Sequence, residues 1–180
     1  MALELIASRL VGRYLGSSIY TWSSVIAVIL FGMSIGNFLG GKAADRFTAT
    51  SFLPWLSLLT VVACCLTLGL CNFFGDAALL KNLEWPLRIL LTVAAVFTLP
   101  AVFIGMFMPF AAKMHVESIS RIGLAIGSIY AWGAIGSILG TLATGFFLIP
   151  SLKVSQSLLL ITFFFSPVYF YSLIKKVGAA

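Results

Sequence analysis

Apolar residues run along this chain in long unbroken blocks, and polar residues gather in the short gaps between them. From Ile19 to Gly41 no residue carries a charge, and about 20 apolar residues suffice for a helix to cross the hydrocarbon core of a bilayer. The same reading predicts helices over about 19–41, 52–73, 85–110, 122–149 and 154–173. Residues 2–16 are different. Leu3, Ile6, Leu10 and Tyr14 share a helix face, with Glu4, Ser8 and Arg9 mostly off it. Even the whole stretch 1–18, at about 25 Å, falls slightly short of a full crossing, so this segment is either a short first transmembrane helix or an amphipathic helix at the interface. The expected architecture is an all-α membrane protein, a single transmembrane domain over 1–180 with about six helices.

The gaps carry their own signals. Gly16-Ser17-Ser18 is a turn, and Lys42-Ala43-Ala44-Asp45-Arg46 marks where the second helix leaves the lipid. Polar breaks follow at Asn72–Glu84 and at Ala111–Arg121, the latter holding Lys113, His115, Glu117 and Arg121. Pro54 near a helix start is tolerated. Pro100 is expected to kink the fourth helix and Pro109 to help end it, since each removes a backbone donor. Pro150 to Lys153 breaks the fifth.

Glycine spacing adds a packing expectation. Gly32, Gly36 and Gly40 fall on one face of the second helix, and the fifth helix carries Gly136, Gly140 and Gly145 among others. Small residues at such spacing let backbones approach closely, so the second and fifth helices are expected to pack through these faces. The two also echo each other: Gly16-Ser-Ser-Ile-Tyr20-Thr-Trp22 resembles Gly127-Ser-Ile-Tyr130-Ala-Trp132, and Gly36-Asn-Phe-Leu-Gly40 resembles Gly136-Ser-Ile-Leu-Gly140, with unequal spacing between the paired motifs, so this is not a simple duplication. A three-plus-three inverted repeat gives this pattern; glycine-rich packing helices also resemble one another without any repeat.

Composition agrees with the pattern. The chain is 61% hydrophobic and only 9% charged, against roughly 25% charged in ordinary domains, and its mean hydropathy is +1.13. Membrane β-barrel strands alternate polar and apolar residues, unlike these blocks. The net charge of +6 comes from bases scattered singly. No basic stripe exists, so nucleic acid is not an expected partner; the bilayer is. Placing Lys42, Arg46, Lys113, Arg121, Lys175 and Lys176 on one side leaves Arg9, Arg13, Lys81, Arg88 and Lys153 on the other. The paired lysines near the end favour the first side as cytoplasmic. The expected location is a prokaryotic inner membrane with the carboxyl terminus inside. Cys64, Cys65 and Cys71 lie in one apolar run, a spacing that fits neither a disulfide framework nor a metal site.

The segment Gly40-Gly41-Lys42-Ala43-Ala44-Asp45-Arg46 resembles the cytoplasmic loop motif of major facilitator transporters. The wider set of Glu4 through Arg9 to Gly16-Ser17-Ser18, that loop, Gly105-Met-Phe-Met-Pro109-Phe, and Ile129 through Thr141 to Gly145-Phe-Phe-Leu-Ile-Pro150 resembles the membrane domain of fused, membrane-bound spermidine synthase-like proteins. That domain resembles half of a major facilitator bundle. The resemblance covers nearly the whole chain in order. It implies that the opening helix is clipped near Glu4 and that the soluble synthase domain is absent after Ala180, so the chain is expected not to be an enzyme.

Candidate chemistry is sparse. Glu4, Arg9 and Asn37 form the candidate intramembrane polar set, because an ionisable group at membrane depth is a functional hypothesis by default; Glu4 can equally sit solvated among headgroups. The resemblance implies that Lys42, Asp45 and Arg46 act as a cytoplasmic loop lock on helix packing, the alternative being a solvated helix end. His115 is the only histidine and has no companion ligands. No metal, cofactor or catalytic constellation is expected. Two functions lead on the sequence: a non-catalytic membrane module or subunit packing with other membrane chains, or a half-size transporter that pairs with itself or a homologue to handle a small, polyamine-like solute; an enzyme acting in the membrane ranks third.

Overall fold

The structure is a computed structural model; it describes residues 1–75, 83–115, 122–158 and 160. Its elements in order are α1 (Ala2–Leu15), α2 (Ile19–Arg46), α3 (Ala49–Gly75), α4 (Trp85–Gly105), α5 (Phe107–His115) and α6 (Ile122–Leu142). A π-helical stretch, Ala143–Leu148, and a final helical turn, Ile149–Ser151, prolong α6. A further helix opens at 154. The described residues are helical or connecting chain, with no strand among them. Most of the segment expected as a helix over 154–173 lies outside the described residues, as do Asp76, Lys81, Glu117 and Arg121.

Four helical stretches are long and apolar enough to cross a membrane: Ile19–Arg46, Ser51–Phe74, Trp85–Met114 and Ile126–Ser151. α1 is not one of them. Its 14 residues reach about 21 Å at 1.5 Å each. Yet it lies within the bundle, with Ile6 and Ala7 wholly buried and Leu3, Leu10, Val11 and Leu15 nearly so.

The α1–α2 turn follows from its residues. Gly16 adopts φ +85°, a conformation that costs other residues dearly. Ser18 is extended, and its hydroxyl accepts the Thr21 amide at 3.2 Å, a serine N-cap. The Thr21 hydroxyl donates to the Gly16 carbonyl at 2.8 Å. The Trp85 indole N–H donates to the Leu15 carbonyl at 3.1 Å, so α4 satisfies an acceptor that the end of α1 leaves open.

The most extensive helix contact joins α2 to α4. Gly32 abuts Ala101 and Thr98, Gly36 abuts Val102, and Gly40 abuts Met106. Numbers rise together on both helices, so the two run parallel. Gly105 completes the seam, since a Cβ there would lie 2.9 Å from the Met33 Cα. Around this seam Val25, Ile89, Val93, Val96 and Phe97 form the buried core with the apolar face of α1.

The expected pairing of the second and fifth helices is therefore corrected. A Cβ added at Gly136 or Gly145 would meet nothing within 4 Å, and one at Gly140 would only graze Ala2 at 4.0 Å. Only 6% of the apolar window of Ile126–Ser151 is buried. Glycine spacing licenses close approach without naming the helix that approaches.

Helix limits also differ from expectation. α2 continues five residues past Gly41, so Lys42, Asp45 and Arg46 form its last helical turn rather than a loop. The predicted helix over 85–110 is two helices with a break at Met106. Pro109 does not end it. It occupies the first turn of α5, where a missing N–H costs little because that donor has no intrahelical partner. The stretch from Ala111, expected as a loop, stays helical to His115.

Candidate functional site

Two cavities flank the α2–α4 pair at different places. The first, about 400 Å³, lies between α1 and the chain that follows the π-helical stretch. Arg9 and Arg13 line it from α1, with Ser17 in the α1–α2 turn, Trp22 at the start of α2, and Ile149 and Leu152 opposite. Both arginines are exposed. Ser8 also reaches it, but its hydroxyl donates to the Leu5 carbonyl at 2.9 Å.

The second cavity, about 250 Å³, is mostly apolar and lies where α2, α5 and α6 meet. Asn37 and Tyr130 supply its polar side chains, beside Met108, Pro109, Ile126 and Ile129. Met108 and Pro109, which line it, follow directly on the one-residue interruption at Met106 between α4 and α5.

The sequence-derived polar set is thus divided. Arg9 belongs to the first cavity and Asn37 to the second, while Glu4 lines neither. Glu4 stands half-buried in the first turn of α1. That turn lies beside the last turn of α6, as Ala2 approaches Gly140.

At the other end of the bundle, Lys42, Asp45 and Arg46 are exposed. The Lys42 ammonium sits 4.3 Å from the Phe38 ring centroid, a cation–π distance. The tie between α2 and α5 comes from Lys113, whose ammonium donates to the Ala44 carbonyl. That carbonyl is among the last four of α2, which lack helical partners, and a cation there also favours the helix dipole. Phe47, Phe52 and Phe110 stack beside it, with centroids 5.4 and 5.0 Å apart.

Sequence reasoning named Lys113 and Arg13 only as charged positions, without the Ala44 contact or the cavity, and missed the packing role of Gly105. The four-residue spacing of Arg9 and Arg13 was a usable signal for the first cavity. Nothing local marks Lys113 as the partner of a carbonyl 69 positions away. Among the described residues no group of three or more His, Cys, Asp and Glu side chains is placed to hold a metal. Cys64 and Cys71 are buried and Cys65 is exposed.

Fold and cavities together define an all-helical protein with the spans of a membrane protein. The chain is 30% identical over 155 residues, 84% of its length, to polyamine aminopropyltransferase 2 of Ralstonia nicotianae. It has the same identity and coverage to polyamine aminopropyltransferase 1 of that bacterium. It spans only 28% and 27% of the lengths of these two proteins. No family model matches the chain, and no solved structure matches it. The curated relatives carry the names of enzymes. This corrects the expectation from the sequence that the chain is not an enzyme.

Proposed function

We propose that this chain is the membrane-embedded part of a polyamine aminopropyltransferase-like protein, corresponding to the spermidine synthase-like membrane domain. The supporting observation is the 30% identity over 84% of the chain to two proteins of that name, found in a chain with four bilayer-length helices. In this reading the α2–α4 seam is the rigid post, and aminopropyl transfer to polyamines takes place in an assembly held at the bilayer by these helices. α6, which exposes Leu124, Tyr130, Trp132 and Leu139, packs on other membrane segments, from other subunits or a second copy. Lys42, Asp45 and Arg46 face the cytoplasm of a prokaryotic inner membrane and, with Lys113, lock that end of the bundle.

A second reading, a half-size major-facilitator-like transporter of a polyamine-like solute, is favoured by the cavity at Asn37 and Tyr130. Its mostly apolar wall with two neutral polar groups suits the methylene chain of such a solute.

Affinity purification of the tagged chain from its own membranes tests both. Aminopropyltransferase activity that co-purifies with the chain, and leaves the membrane fraction when the chain is deleted, is the expected result. Activity that stays unchanged on deletion overturns the first reading. Polyamine uptake by liposomes holding the purified chain alone would establish the second.

A further inference from the structure

The cavity at Arg9 and Arg13 has a chemistry unlike that of a polyamine site. The two arginines stand one turn apart on α1 and both line it. Residues four apart share a helix face, with Cβ atoms about 5–6 Å apart, and two like charges at that spacing repel unless an anion lies between them. Among the described lining residues there is no carboxylate. A polycation is repelled here and an anion is drawn in.

Which anion follows from the other walls. Guanidinium forks match phosphate oxygens in bidentate pairs, and the Ser17 hydroxyl lies at the same cavity. The facing wall is apolar, with Ile149, Leu152 and Val154. The π-helical stretch ends at Leu148, immediately before that wall, and π turns inside helices recur at functional sites. Exposed Trp22, Tyr20 and Trp85 gather at this end of the bundle, and Tyr20 meets Trp85 edge to face at 6.0 Å. Trp and Tyr concentrate at the headgroup level of membranes. A phosphate beside an apolar wall at headgroup level describes one ligand class.

We propose that this cleft binds the phosphate of an anionic phospholipid headgroup. Arg9 and Arg13 hold the phosphate oxygens, and the Ile149–Leu152 wall meets the apolar part of the lipid. This site is separate from the cavity at Asn37 and does not depend on the aminopropyltransferase reading.

Native mass spectrometry of the full chain in detergent, titrated with phosphatidylglycerol, phosphatidylcholine or inorganic phosphate, provides the test. The expected result is retention of phosphatidylglycerol about tenfold tighter than phosphatidylcholine, since both carry the phosphate but the choline cation of the latter is repelled by the two arginines and finds no carboxylate among the described lining residues. The preference should vanish in Arg9→Gln/Arg13→Gln, persist in part in Arg9→Lys/Arg13→Lys, and stay intact in Arg46→Gln at the far end. Circular dichroism identifies a misfolded variant, and the lysine pair then carries the comparison, since it keeps charge but loses the bidentate fork. Equal retention of the two lipids, or a preference unaltered in both arginine-pair variants, overturns the proposal. Inorganic phosphate displacing phosphatidylglycerol at comparable affinity would assign the site to a soluble anion and also overturn it.

Discussion

Gly36 of α2 lies directly against the backbone carbonyl of Val102 on α4; a Cβ at Gly36 would collide with that oxygen and sit 3.0 Å from the Cα of Gly105. No flexible side chain intervenes, so the only relief is separation of two helix backbones. Gly36→Ala is therefore expected to destabilise the protein by about 1–3 kcal/mol, the range for overpacking. Gly41→Ala, whose Cβ would meet nothing within 4 Å, should be neutral or slightly stabilising. Thermal unfolding in detergent, followed by helical circular dichroism, separates the two. Equal effects would mean that α2 and α4 do not touch as described.

Two buried hydroxyls should respond in opposite directions. The Thr60 hydroxyl donates to the Leu56 carbonyl at 2.7 Å, whereas Thr92 Oγ1 is buried with no hydrogen-bond partner among the described residues. Thr60→Val loses a bond worth roughly 1 kcal/mol or less. Thr92→Val removes an unsatisfied group, whose burial costs about 1–3 kcal/mol, and is expected to raise the melting temperature. A lowered melting temperature for Thr92→Val would reveal a partner for that hydroxyl.

Lys113 ties α5 to the end of α2 through the Ala44 carbonyl. Lys113→Met keeps most of the stem and removes the charge, so it should cost about 0.3–1 kcal/mol, the usual worth of a cation at a helix C-terminus. Amide exchange measured by mass spectrometry should rise at residues 43–48 and stay unchanged near Gly16. Uniform protection in the variant would show that the Phe47–Phe52–Phe110 stack suffices.

The turns at either end of α2 should label from opposite sides of the membrane. Ser17 and Thr48 are both exposed, and the 28 residues between them in α2 rise about 42 Å. Ser17→Cys is expected to react with a charged, impermeant maleimide from outside, and Thr48→Cys only after the cytoplasmic face is opened. Native Cys64 and Cys71, buried inside a candidate span, should stay unlabelled until denaturation. Labelling of both introduced cysteines from one side would contradict the span.

The sequence by itself determined the helical class, the membrane-length blocks and the place of most turns. These are local properties: charge is costly in lipid, so a block without charge reads as a span wherever it lies, and Gly16 and Ser18 write their turn into three residues. It also marked Gly32, Gly36 and Gly40 as one close-packing face. Only the tertiary structure decided that this face meets α4 and not α6, because a helix apolar all round carries no sign of which neighbour it will touch. The same limit hid the reach of Lys113 to Ala44 and the separation of Arg9 from Asn37 into two cavities. Each depends on residues tens of positions apart being brought together, and hydropathy is silent about distance in space.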